Sequence, residues 1–134
     1  MRSRKSGVSK IHHRYTIDTP LKLIKTIEVK GIAHITGGGI AGNLVRILPD
    51  RVRAVVELTS WQLPEIFNWL SQTGDISRKE MFKTFNCGIG LMLVVASNDA
   101  DKAIELLNDA GEKAWQTGTI ESSDSDQPFV ELNG

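Results

Sequence analysis

The chain has 134 residues, 40% of them hydrophobic, which suits one globular domain with a core of its own. Sixteen basic and sixteen acidic side chains cancel to a formal charge of zero, which excludes a generally polybasic nucleic-acid binder. The single cysteine, Cys87, excludes an internal disulfide and points to a reducing compartment; no apolar run is long enough to span a bilayer and no apolar signal core follows the basic N-terminus, so a cytoplasmic protein is expected.

Residues 1–14 carry Arg2, Arg4, Lys5, Lys10 and Arg14 and no acid. Lacking clear periodicity, residues 1–18 are expected to form a basic flexible segment, with an edge strand near Tyr15-Thr16-Ile17 at most. His12 and His13 are adjacent and face different ways in most backbones, a poor metal pair. A single domain is expected over 19–134. Thr19-Pro20 has the form of a helix start, with Leu21, Ile24 and Ile27 as its apolar stripe and Lys22 and Lys25 facing water. Gly31-Ile32-Ala33-His34-Ile35 reads as a buried strand. Thr36-Gly37-Gly38-Gly39 breaks it, and Ile40, Leu44, Ile47 and Leu48 then recur at helical spacing up to Leu48-Pro49-Asp50.

Further along, Arg51 to Leu58 alternates, with Val52, Ala54 and Val56 on one side, which predicts a half-buried strand. After Leu63-Pro64 a helix is predicted with Ile66, Phe67, Trp69 and Leu70 as its packed face. Ser77-Arg78-Lys79-Glu80 has the form of a capping box for another short helix through Met81, Phe82 and Phe85. Leu91 to Ala96 is continuously apolar, as in a central strand covered on both sides or by helices and a partner domain. Gly88 and Gly90 before it imply close approach by another backbone or a ligand. Ser97-Asn98-Asp99 opens a last helix lined by Ala100, Ala103, Ile104, Leu107 and Ala110 and ended by Gly111. Strands follow at Ala114–Ile120 and Pro128–Leu132, joined by the polar loop Ser122 to Asp126. The order fits an α+β two-layer sandwich, with a mixed or mostly antiparallel sheet and helices on one face.

Candidate chemistry gathers at the glycine turn. Helix-initial N–H groups without internal partners attract phosphate or carboxylate, and glycine removes side chains that would hold an anion off. Thr36 adds a hydroxyl, and His34 can donate, accept or shuttle a proton. A tight structural turn accounts for the same residues. The spacing fits neither the P-loop nor the dinucleotide fingerprint. Asn86 stands at a strand entrance, where it orients a ligand or closes a turn. Cys87 has no local His or Lys to activate it and reads as an inert buried thiol. The acid-rich loop lacks the spacing of a calcium site, and no metal ligands are assigned.

His34-Ile35-Thr36-Gly37-Gly38-Gly39, with Asn43-Leu44-Val45-Arg46-Ile47-Leu48-Pro49, Ser60-Trp61-Gln62, Pro64 to Leu70, Met81 to Gly90 and the stretch around Gly118-Thr119-Ile120, resembles the C-terminal domain of phosphoribosylformylglycinamidine cyclo-ligase, also called aminoimidazole ribonucleotide synthetase. The likeness runs from about Pro20 to the end, with its motifs in order. Before it, the family's interdomain segment is matched by little beyond Arg14. The resemblance implies the two-layer α+β fold. It also implies a place in purine biosynthesis, where ATP phosphorylates the formyl oxygen of formylglycinamidine ribonucleotide and a nitrogen of the same substrate displaces phosphate to close the imidazole ring.

On this resemblance His34 is the proton-handling residue. Thr36, Gly37, Gly38 and Gly39 are the substrate- and phosphate-binding backbone, and Asn86 is a secondary contact. ATP and Mg²⁺ belong to the complete enzyme and mostly to its N-terminal domain, so neither is expected on this chain alone. The implied partners are that ATP-binding domain, in cis or in trans, and a ribonucleotide phosphate. A homo-oligomer is compatible, and no membrane or nucleic acid is implied. The other function compatible with the residues is a free-standing, non-catalytic binding or assembly module that keeps the fold and an anion site.

Overall fold

The computed structural model describes the backbone of residues 6–12 and the whole of residues 23–134. The expected strand at Tyr15-Thr16-Ile17 and the helix start at Thr19-Pro20 lie outside the described residues. Among the described residues one sheet of six strands organises the chain, in the order β2-β4-β1-β5-β3-β6. The strands are β1 (Ser6–His12), β2 (Val29–His34), β3 (Val52–Glu57), β4 (Ile89–Ala96), β5 (Ala114–Ser122) and β6 (Phe129–Asn133). All neighbours are antiparallel except β3 and β6, which run parallel. The α+β class and the mixed, mostly antiparallel sheet are therefore as the sequence implies.

Strand β4 shows why the sheet has two covered faces. Its residues alternate between two cores: Met92 and Val94 enter one, while Leu91, Leu93 and Val95 enter the other. The continuous apolar run is the signature of burial on both sides. The first core joins β4 to α2 (Gly39–Leu44), α3 (Glu65–Thr73) and α4 (Arg78–Thr84) through Ile40, Leu44, Phe67, Leu70, Met81 and Phe82. The second joins it to α1, whose described residues are 23–26, and to α5 (Ala100–Asp109) through Leu23, Ile27, Ala103 and Leu107. The helices thus occupy both faces, where the sequence led us to expect one, because β4 has no polar side to leave in water.

Other departures have local causes. Residues 6–12, expected to be flexible, form β1 in the interior of the sheet, paired with β4 on one edge and β5 on the other. Val8 and Ile11 are its only aliphatic residues, so pattern gave no signal; ladder hydrogen bonds on both edges hold it. In α1, Leu23 and Ile27 are buried and Ile24 is 46% exposed, since residues four apart share a helix face. In α3 the packed residues are Phe67 and Leu70, whereas Ile66 and Trp69 are each 57% exposed. The capping box at Ser77 is present, its Oγ accepting from the Glu80 amide at 3.2 Å. Ala110 is exposed and follows the last turn of α5, and Gly111 takes the left-handed conformation beyond it, φ 91°.

Leu93, fully buried in the second core, is the test of this arrangement. Leu93→Ala is expected to cost about 2–5 kcal/mol, read as a shifted urea unfolding midpoint with unchanged slope. A change under about 0.5 kcal/mol, the level of ordinary surface substitutions, would mean that the second face of β4 is not packed.

Candidate functional site

Strand β2 is an edge strand that ends at His34 opposite Leu91 of β4. Pairing continues one residue further, where the Ile35 amide donates to the Gly90 carbonyl at 3.0 Å. This contact brings the bend Thr36–Gly39 and the turn Asn86–Gly88 to the same end of the sheet. Alternation sets the exposure: Ala33 and Ile35 are buried in the first core, while His34, Thr36, Gly37 and Gly38 are exposed.

The bend is tied by a residue that sequence reasoning passed over. Asn43, 6% exposed, directs its side-chain amide at three carbonyls, those of Gly39 at 2.7 Å, Thr36 at 3.2 Å and Gly37 at 3.3 Å. Its Oδ1 accepts from the Thr36 hydroxyl at 3.2 Å. The available signal was an asparagine, a poor residue for a helix interior, among apolar neighbours at Ile40 and Leu44. With Thr36 and Gly37 carbonyls engaged by Asn43, and the Gly39 amide donating to the Thr36 carbonyl at 3.1 Å, the amides of Gly37 and Gly38 have no acceptor among the described residues.

Each glycine of the run has its own reason. Gly39 has φ 72°, and a Cβ there would stand 2.0 Å from the Phe82 carbonyl oxygen, so no larger residue fits. Gly38 precedes α2 with φ 98°, a left-handed conformation. Gly37 has neither constraint: its φ is ordinary and a Cβ would meet nothing within 4 Å.

Asn86 closes a turn. Its Oδ1 accepts from the Gly88 amide at 3.0 Å and its carbonyl from Ile89 at 3.0 Å. Cys87 and Gly88 have φ 53° and 96°, the sign pattern of a type I′ turn. The close approach expected at Gly88 is to protein, since a Cβ would meet Pro64 at 2.7 Å. Cys87 is fully buried, its thiol donating weakly to the Met81 carbonyl at 3.4 Å. Burial pushes this thiol up from 9.0 to about 11, against the opposing pull of the Arg78 charge. That is the opposite of what a nucleophile needs, as its surroundings implied. Around it, the Trp61 indole donates to the Cys87 carbonyl at 3.1 Å and packs edge-on to Phe82.

Among the described residues no three His, Cys, Asp or Glu side chains stand together as a metal site, and no helix is long and apolar enough to cross a membrane. Compared with known proteins, the chain matches a family model described as "AIR synthase related protein, C-terminal domain" over residues 12–131, which is most of its length.

Two outcomes test this geometry. Asn43→Ala removes the buried amide that ties the Gly39, Thr36 and Gly37 carbonyls together and is expected to destabilise by about 1–3 kcal/mol in chemical denaturation. The Cys87 thiol is neutral in the folded state where the unfolded chain already ionises, so its contribution is complete below about pH 9 and is lost as pH rises through about 11. The native chain should therefore lose stability over that window faster than Cys87→Ala, and Cys87 should resist a thiol reagent at pH 8 until denaturant is added. Equal slopes in the two proteins would refute this assignment.

Proposed function

The chain belongs to the AIR synthase related family through its C-terminal domain, and from that membership we propose that it is the C-terminal domain of an ATP-dependent phosphoribosylformylglycinamidine cyclo-ligase, inactive without an ATP-binding domain. The match over residues 12–131 carries this reading, and the open bend at the end of β2 supports it.

In this reading the amides of Gly37 and Gly38 donate to an oxygen of the ribonucleotide phosphate. Backbone N–H groups that need no reorganisation suit an anion at a seam between domains. The Thr36 hydroxyl, already donating to Asn43, can accept from a substrate hydroxyl or water through its remaining lone pairs. His34, exposed one residue before the bend's core-facing Ile35, takes the proton that the attacking nitrogen loses as the imidazole ring closes. Asn86 contributes through its side-chain NH₂, its Oδ1 being held by Gly88. ATP enters as the phosphoryl donor, and Mg²⁺ when bound would neutralise its charge; the described residues of this chain offer no clustered ligand set for the ion.

The experiment is ATP-dependent ring closure on formylglycinamidine ribonucleotide, with the chain alone and mixed with a cyclo-ligase ATP-binding domain. The chain alone is expected to be inactive and the mixture active. His34→Ala should lower kcat of the mixture by roughly 10²–10⁴-fold. Gly37→Ala keeps the fold, because its Cβ meets nothing, yet crowds the amides; it should weaken binding of the ribonucleotide with the unfolding midpoint unchanged. Full turnover by the chain alone, or a mixture that binds ribonucleotide without closing the ring, would overturn the reading.

A further inference from the structure

At the opposite end of the sheet from the glycine bend lies a cavity of about 610 Å³, within the size range of small-molecule sites. It is lined by Arg51, Arg53, Phe129 and the loop Ser122 to Ser125. Two of its lining residues, Arg53 and Phe129, belong to a row across three strands. Arg53 of β3 stands opposite Glu121 of β5 on one side and Phe129 of β6 on the other. These residues point away from the first core, which takes Ala54 and Val56 from β3. Here β3 and β6 contribute nothing to the second core, so this half of the face has no apolar helix packed on it among the described residues.

Arg53 is incompletely satisfied. One guanidinium NH₂ donates to Glu121 at 3.1 Å, but Nε is sealed from solvent with no acceptor among the described residues. A buried N–H without an acceptor is unfavourable, so a small rotation that offers it an oxygen in the cavity is rewarded. The other oxygen of Glu121 accepts from the Thr119 hydroxyl at 3.1 Å. Arg51 adopts φ 64°, unusual for a residue with a side chain, and its carbonyl accepts from the Ser123 amide at 2.8 Å. Its guanidinium pairs with Asp126 at 3.1 Å, both side chains being mostly exposed. Such a pair contributes little and is readily exchanged for a better acceptor. Phe129, 37% exposed, offers a ring face or edge beside them.

We propose that this cavity binds a small ring compound bearing one oxyanion, with the anion between Arg53 and Arg51 and the ring against Phe129. One compact anionic group matches the site better than a polyphosphate, because Asp124 lines the same cavity and Glu121 and Asp126 border it. Carboxylate and phosphomonoester can each present a pair of oxygens to a guanidinium for bidentate pairing. Asp124 and the serine hydroxyls would take hydroxyl or amino substituents of the ring. This site is independent of the proposed cyclo-ligase reaction and shares no residue with it.

Calorimetric titration of the full chain with benzoate, phenyl phosphate, inorganic phosphate and phenol tests it. At least one of the first two should bind saturably, with inorganic phosphate and phenol each at least tenfold weaker. Arg53→Met should weaken that ligand at least tenfold. Should Arg53→Met fold poorly by stranding Glu121, Ser123→Asp serves instead: the shorter carboxylate can still accept from the Ser125 amide, as the Ser123 hydroxyl does at 3.1 Å, while it repels the anion. Gly37→Ala at the bend should leave this affinity unchanged. The proposal fails if no ring compound binds up to 5 mM (about tenfold beyond a weak small-ligand affinity), if Ser123→Asp binds as well as the native chain, or if Gly37→Ala abolishes the signal.

Discussion

The register of β4 is the constraint on which the remaining structure depends. With Met92 and Val94 committed to one core and Leu91, Leu93 and Val95 to the other, a slip of one residue would exchange the two sets and mismatch both cores at once. Strands β1 and β2 pair with β4 on its two edges, so their positions follow from it. The bend after His34 is carried along: the Ile35 to Gly90 hydrogen bond is the last rung of that ladder, and everything at this end of the sheet is measured from it.

What makes the bend more than a loop is its polarity, and Asn43 supplies that. By gathering the Thr36, Gly37 and Gly39 carbonyls on one amide, it withdraws acceptors from the bend and leaves donors. The helix that follows adds little, since α2 has six residues, too few to build a large macrodipole or to be stable by itself. The donors left at the bend are therefore two local N–H groups, those of Gly37 and Gly38. The three glycines divide their roles accordingly. Gly39 is required by the Phe82 carbonyl, Gly38 by its backbone conformation, and only Gly37 has no structural reason to be glycine.

Much of this was legible in the sequence, for reasons that separate cleanly from what was not. The strand–glycine–helix unit, the two-sided burial of β4, the alternation of β3 and the capping box at Ser77 are local patterns, and local patterns survive folding. The choice of packed face on α3 was not legible. Ile66, Phe67, Trp69 and Leu70 supply more apolar residues than one face can bury, and the neighbours, Phe85 beside Phe67 among them, decide which pair goes in. β1 was missed because an interior strand can be held by two ladders of backbone hydrogen bonds with few apolar side chains to announce it. The row Glu121–Arg53–Phe129 was missed because its members come from three strands, one of them parallel, and no spacing along the chain encodes that adjacency.

The open half of the second face follows from simple dimensions. Six strands about 4.8 Å apart span roughly 24 Å between the outermost axes, and a helix about 10 Å across covers about two strands. The first face carries α2, α3 and α4, enough for the full width. Among the described residues the second face carries α1 and α5, enough for about four strands, and their core gathers around β4 and the start of β5. β3 and β6 are left over. An uncovered sheet face must be made of side chains that tolerate water, and Arg53, Glu57, Phe129 and Glu131 are half-buried or exposed there. Where the described helices stop, the loop after β5 is tied to the start of β3, through Ser123 on the Arg51 carbonyl and Asp126 on the Arg51 guanidinium, and walls one side of the cavity. Because the cavity lies at the end of the sheet remote from the bend and rests on none of the contacts of β4 with β2, its residues can change without disturbing the register that places His34.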